Sequence, residues 1–391
     1  MKKLAVLNLV LVLSLLLGSA ALAQEPEGDF GVIQRTLETA LADWGPTISA
    51  DALFENLNDG DASNDPFIVS VRAPDAYELG HIPGAINIPW KNIAKSESLA
   101  QLPTDRPIVT YCYTGHTGQI SATILKALGY DVQNLKYGMM GWTQNDEVLA
   151  TTRFGPDTDQ RDYPTETEAN EATETYAYPE VATGEEDAFE IVRAAADAWV
   201  NSESSPIVSA DSVFEVLNDG DDSNNPMIVS VRAADAYALG HIPGAVNIPW
   251  KAVASAENLA KLPADSPIRV YCYTGHTGQV STTALGLLGY DVANIKYGMM
   301  GWTEDDEVLA TARYNPETSP DYPIEGTAAE APVAEETAAE ETATEEAAAE
   351  EAAPVTVPET GGAALPVEGL LLGFGTLAAA AGLYLRRRNA A

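Results

Sequence analysis

Cys112 and Cys272 are the two cysteines of a 391-residue chain, and each lies in the same nine-residue block, Tyr-Cys-Tyr-Thr-Gly-His-Thr-Gly-Gln. Before the first, Pro107-Ile108-Val109-Thr110-Tyr111 reads as a buried strand. After it, Gly118 to Leu128 reads as a helix closed by Gly129. A sulfur between the carboxyl end of a strand and the start of a helix occupies the usual site position of an open parallel α/β sheet. The loop glycines let successive backbone N–H groups turn inward, and the helix adds its positive end. Such surroundings lower a thiol pKa and make a nucleophile. They also hold a second anionic sulfur bonded to the first. A lone buried cysteine is ordinarily inert, but here both occupy equivalent places in a repeated block, which favours chemistry. A Cys112–Cys272 disulfide is the rival redox reading, and it requires the two loops to face each other.

The remaining polar candidates divide by position. His116 and His276 lie inside the cysteine loops, where they raise the thiolate population, donate to a substrate or cover the site. His81 and His241 fall in a Gly-His-Ile-Pro-Gly-Ala turn and are expected to be structural. One Cys and two His per copy fall short of four metal ligands, so no metal is expected. No cofactor is expected either. Arg72 and Arg232 read as buried partners of a carboxylate. Asp59, Asp61, Ser63 and Asp65 place oxygens at alternate positions, as do Asp219, Asp221, Ser223 and Asn225. Without a bidentate Glu at EF-hand spacing, these read as solvated turns rather than calcium loops. Trp142 and Trp302 read as packing residues.

The elements that position these groups come in two sets. Self-comparison at an offset of 160 residues aligns Leu79–Ala85 with Leu239–Ala245, and Tyr137–Trp142 with Tyr297–Trp302. A period that long is a duplicated domain, not a solenoid. The first copy reads as helix (Phe30 to Trp44), helix capped by Ser49 (to Leu57), strand (Pro66 to Val71), helical turn (Asp75 to Leu79) and strand (Ala85 to Ile88). The cysteine strand and helix follow, then a strand from Val132 to Leu135. Alternating short strands and helices predict an α/β fold with a parallel sheet flanked by helices. The expected organisation is a domain over 30–161, a Thr/Glu/Ala-rich linker over 162–186, a second domain over 187–324 and an acidic Ala/Glu/Thr-rich stalk over 325–360. The stalk cannot bury enough apolar surface to fold alone.

Both ends read as address signals. Residues 1–23 have the basic start, apolar run (Leu4 to Leu17) and Ala21-Leu22-Ala23 site of a secretory signal peptide. Residues 361–391 contain an uncharged run from Gly369 to Leu385, about 25 Å as a helix, followed by Arg386-Arg387-Arg388. This is read as one transmembrane helix with a cytoplasmic basic end. Val357-Pro358-Glu359-Thr360-Gly361 before it resembles a sortase sorting signal of the LPxTG type, which would attach the protein to the cell wall. A permanent membrane anchor is the alternative. Either way the bulk is extracytoplasmic and held at the cell surface. The formal net charge of −37 argues against a nucleic-acid partner.

Three stretches make each copy similar to a rhodanese domain. They are Ile68-Val69-Ser70-Val71-Arg72 with Gly80-His81-Ile82-Pro83-Gly84-Ala85, the strand–Cys–loop–helix, and Leu128-Gly129-Tyr130 leading to Gly138-Met139-Met140-Gly141-Trp142. The resemblance implies a sulfurtransferase. Its cysteine takes sulfane sulfur from a small donor and passes the persulfide sulfur to a thiol or cyanide-like acceptor. By position, the persulfide cysteines are Cys112 and Cys272. Their cradles are Tyr113, Thr114, Gly115, His116, Thr117 and Gly118, and Tyr273, Thr274, Gly275, His276, Thr277 and Gly278. Two departures stand out. Thr117 and Thr277 replace the Arg that active family loops often carry, which puts thiosulfate use in question. Ser70 and Ser230 replace a mainly structural Asp. A rhodanese module that binds a partner or carries sulfur without turnover is the second reading. A Cys-dependent phosphatase would need Arg where this chain has Gly118 and Gly278.

Overall fold

Short runs of β-branched residues alternate with amphipathic helices in both copies, and each set closes into its own five-stranded parallel sheet. The computed structural model describes residues 26–327. In the first copy β1 (Thr47–Ile48), β2 (Phe67–Ser70), β3 (Ile86–Asn87), β4 (Ile108–Tyr111) and β5 (Val132–Leu135) lie in the order β1-β5-β4-β2-β3. In the second, β6 (Ile207–Val208), β7 (Met227–Ser230), β8 (Val246–Asn247), β9 (Ile268–Tyr271) and β10 (Val292–Ile295) repeat it as β6-β10-β9-β7-β8. The cysteine strand is central. β4 pairs with β2 from Phe67↔Ile108 to Ser70↔Tyr111, and with β5 from Ile108↔Val132 to Thr110↔Asn134. A central strand covered on both faces must be apolar on both, and all four residues of β4 are buried.

The helices follow the expected signals, with small shifts. Ser49 caps the Ala50–Leu57 helix by accepting the Ala52 N–H. The helix after the cysteine runs from His116 to Ala127, two residues earlier than expected, because Gly115 at φ +91° turns the chain directly into it. In the first helix, Gly28–Leu41, Ile33, Leu37 and Leu41 form one buried face at helical spacing.

The copies are fused through those helices. His116–Ala127 packs on His276–Leu287, and Gly28–Leu41 packs on Ala188–Val200. One apolar cluster runs through both, taking Ile120 and Ile124 from the first copy and Val280 and Leu285 from the second.

Two extended arms cover the sheet domains, one on each. The stretch after the first copy lies on the second: Tyr163 stacks on Phe214 at 3.9 Å, donates its hydroxyl to Asp211 and is followed by a bridge between Glu166 and His241. The stretch after the second copy returns to the first. Tyr322 stacks on Phe54 at 4.0 Å, donates to Asp51 at 2.6 Å and is followed by a bridge between His81 and Glu325. Trp142 and Trp302 are buried beneath these arms and donate to the Pro323 and Pro164 carbonyls.

Among the described residues no helix is long and apolar enough to cross a membrane. The signal-peptide stretch 1–23, most of the stalk and the anchor at 361–391 lie outside the described residues.

Candidate active site

Each cysteine follows the central strand of its sheet, is buried, and carries a free thiol. The loop then folds back so that the Gly115 N–H points at Cys112 Sγ from 3.2 Å, and the Gly275 N–H points at Cys272 Sγ from 3.1 Å. The loop is braced from below. Asn134 on β5 donates to the Gly115 carbonyl at 3.0 Å, and Thr110 donates to the Gly118 carbonyl at 2.9 Å. Gly118 fits because a Cβ there would collide with Asn134 Oδ1 and press on the Cys112 backbone. On the far side, the Met139 N–H donates to the Cys112 carbonyl at 2.9 Å. Gly138, at φ +54°, makes room for that carbonyl. Tyr113 closes the loop edge, its hydroxyl accepting the Ala73 N–H at 3.1 Å.

His116 and His276 tie the two loops together. His116 Nε2 accepts the backbone N–H of Tyr297 at 3.2 Å, and His276 Nε2 accepts that of Tyr137 at 3.0 Å. With Nε2 as acceptor, Nδ1 carries the proton and donates to Thr114 or Thr274 Oγ1, each at 3.0 Å. The rings lie 6.2 Å apart, inclined by 18°. Burial first, then the Lys296 charge, lowers the His116 pKa to about 3. Burial, then His116 and Lys136, holds His276 well below the usual histidine range. Both imidazoles are therefore neutral at pH 7, with both nitrogens engaged, and they supply no cation to the loop.

The cation comes from the other copy. The cavity at Cys112, about 230 Å3, is lined by Tyr113, Thr114, His116 and Thr117 of its own loop and by Ile207 and Lys296 of the second copy. The cavity at Cys272, about 150 Å3, is lined by Tyr273, Thr274, His276 and Thr277 and by Thr47 and Lys136 of the first. Each site is thus built from both copies. The structure brings the two cysteines and the loop residues of each copy together as the sequence placed them. Lys136, Lys296, Thr47 and Ile207 carry little signal within one copy, because their role exists only between the copies. The one readable trace is that a Lys precedes the repeated Tyr-Gly-Met-Met block in both.

The remaining candidates lie elsewhere. Arg72 is buried as expected, but its partners are not carboxylates. It donates to the Val148 carbonyl at 2.8 Å and to the Gly80 carbonyl, and Arg232 repeats this with Val308 and Gly240. Tyr111 and Tyr113 lie under the Arg72 guanidinium at 5.7 and 5.8 Å, so ring faces and carbonyls supply the negative surroundings. His81 and His241 stack on Tyr77 and Tyr237 and bond to their carbonyls at 2.9 Å. The Asp59–Asp65 turn is exposed and satisfied internally, Asp59 accepting the Asp61 N–H and Asp61 the Ser63 N–H. Among the described residues no group of three or more His, Cys, Asp or Glu could hold a metal.

The sequence matches the rhodanese-like domain family over residues 49–145 and 213–305. It is 34% identical over 79 residues to the thiosulfate sulfurtransferase GlpE of Pseudoalteromonas translucida, covering 20% of this chain and 73% of that protein. It is 40% identical over 77 residues to an HTH-type transcriptional regulator of Mycobacterium tuberculosis, covering 19% of this chain and 33% of the regulator. It is 34% identical over 108 residues to MoeZ of the same species, described as a probable adenylyltransferase/sulfurtransferase, covering 27% of each. The chain spans a third or less of the regulator and of MoeZ.

Proposed function

The chain belongs to the rhodanese-like domain family, and on that premise we propose that it is an extracytoplasmic, surface-tethered sulfurtransferase working through persulfides at Cys112 and Cys272. The observation that carries this reading is the loop N–H aimed at each sulfur, at 3.2 Å in one copy and 3.1 Å in the other. A donor that favours anionic sulfur at that point also favours the persulfide that replaces the thiolate.

The chemistry balances in two steps. The cysteine thiolate attacks the sulfane sulfur of a donor such as thiosulfate. A Cys–S–S⁻ bond forms as the donor S–S bond breaks, and sulfite leaves with the electron pair. A nucleophile such as cyanide or a thiolate then attacks the outer sulfur, and the cysteine thiolate leaves with its pair. The cavities admit a small donor rather than a folded partner. Placement outside the cytoplasm draws on the apolar Leu4–Leu17 run and the basic-flanked run ending at Leu385. Protease accessibility on intact cells tests it.

The central test is peptide mass spectrometry of the protein after incubation with thiosulfate, mercaptopyruvate or polysulfide, then cyanide. Cys112→Ser and Cys272→Ser variants run in parallel. A cyanide-removable gain of one sulfur at either cysteine is the expected result. A folded protein with free thiols that gains none from any donor overturns the reading.

A further inference from the structure

The two sites are related by sequence repeat but not by charge. At Cys112, the lysine from the other copy is neutralised: Lys296 Nζ lies 3.4 Å from Asp159 Oδ1, a carboxylate whose side chain is only 15% exposed. At Cys272, Lys136 makes no ion pair among the described residues. Its ammonium lies 5.1 Å above the Tyr137 ring, and Cys272 acts on it electrostatically. The repeat explains the difference. The residue 160 positions after Asp159 is Ser319, a neutral side chain whose hydroxyl donates to the Met140 carbonyl at 3.1 Å.

We propose that Cys272 is the entry site for anionic sulfane-sulfur donors, with Lys136 of the first copy as its specificity-determining cation, and that Asp159 withholds the same role from Lys296 at Cys112. This rests on the sulfurtransferase reading and assigns a donor class to one of its two sites. A protein of net charge −37 repels anions at long range. An anionic donor therefore needs a local cation that no carboxylate has cancelled. Lys136 is partly desolvated, and burial lowers its pKa while the Cys272 side chain opposes the shift. A poorly hydrated ammonium binds an anion more strongly than an exposed one. In thiosulfate transfer it would face the sulfonate oxygens, whose charge stays on sulfite as the S–S bond breaks. Lys136 lines the same cavity as Thr277, so the only lysine or arginine lining that cavity comes from the first copy.

The test uses two alkylating reagents of the same size, anionic iodoacetate and neutral iodoacetamide, on the Cys112→Ser and Cys272→Ser proteins at constant pH and ionic strength. Dividing the anionic rate by the neutral rate removes any change in thiolate population. The expected ratio is about fivefold higher at Cys272 than at Cys112. Lys136→Gln should bring the Cys272 ratio down to the Cys112 value, and Asp159→Asn should raise the Cys112 ratio. Persulfide formation from thiosulfate should follow the same order. Equal ratios at the two cysteines, or a Cys272 ratio unmoved by Lys136→Gln, overturn the inference. Ratios in the expected order with no persulfide from thiosulfate keep the anion selectivity and overturn the sulfurtransferase reading. Persulfides at both cysteines with equal ratios do the reverse.

Discussion

The imidazole of His276 accepts the backbone N–H of Tyr137 across the boundary between the two copies, at 3.0 Å. His116 returns the bond to Tyr297. Each acceptor ring belongs to a cysteine loop, and each donor opens the segment that covers the other cysteine, so neither site is complete within its own copy. Tyr137 and Tyr297 adopt φ of 65° and 64°, a left-handed geometry costly for an aromatic residue and held here by those bonds.

Removing one of these rings should therefore cost more than its packing. His276→Ala leaves the partly buried Tyr137 N–H without its partner, a loss of about 1 kcal/mol beyond the cavity. Urea unfolding measures it. A double-mutant cycle with His116→Ala should show coupling, because the rings face each other. A purely additive pair would count against a shared joint.

Acid should open the same joint. The folded His116 pKa is lowered to about 3, while the unfolded value is near 6.5. Between these values the unfolded chain binds the proton and the folded chain does not, so stability falls as pH drops from 6.5 toward 3. The slope reaches about 1.4 kcal/mol per pH unit for each fully buried histidine. His276 contributes with the same sign. Melting temperatures between pH 6.5 and 4.5 should decline, above the range where Glu166 and Asp211 begin to protonate. The decline should be shallower in a His116→Gln, His276→Gln protein. An equal slope in that variant would assign the effect to other groups.

Much of this architecture is legible in the residues. β5 falls on the Val132–Leu135 run, and the Ser49 cap opens its helix, because local spacing and side-chain oxygen carry those signals. β1 is not legible: Thr47–Ile48 is two residues long and exists only by pairing with β5. The arms escape for a related reason. Glu166 and Glu325 sit in acidic, Thr-rich surroundings that read as solvated, yet Glu166 accepts the Gly244 N–H and Glu325 the Gly84 N–H. The cysteine sites are half legible. Their own loops are local, whereas Lys136 and Lys296 reach across a contact that no single copy encodes.

The loop glycine gives a selective lesion. Gly118→Ala drives a methyl into Asn134 and the Cys112 backbone, an overpacking cost of about 1–3 kcal/mol. Whichever donor loads Cys112 in the parent protein should then fail to load it while Cys272 remains competent, and Gly278→Ala should do the opposite. Loss at both cysteines from either single change would mean that the loops cannot be perturbed separately, and circular dichroism of the variant would show whether the fold survived.

The returning arm supplies the last test, because it decides whether the second copy holds the first in shape. Tyr322 stacks on Phe54, leans on Trp142 at 5.1 Å, and donates to Asp51. The Asp51 bond is what raises the Tyr322 pKa to about 12. Removing the ring exposes Phe54 and strips the cover from Trp142, whose indole N–H bonds to the neighbouring Pro323 carbonyl at 2.9 Å. Tyr322→Ala should therefore cost about 2–3 kcal/mol, whereas Tyr322→Phe keeps the stack and should lose only about 1 kcal/mol with the hydroxyl bond. Tyr163→Ala makes the equivalent lesion on the second copy. Hydrogen exchange should report each change locally, with the Ala50–Leu57 helix losing protection in Tyr322→Ala and the Ala210–Leu217 helix in Tyr163→Ala. Exchange that rises equally in both helices from either variant would mean that the arms stabilise the fused pair as one unit rather than copy by copy.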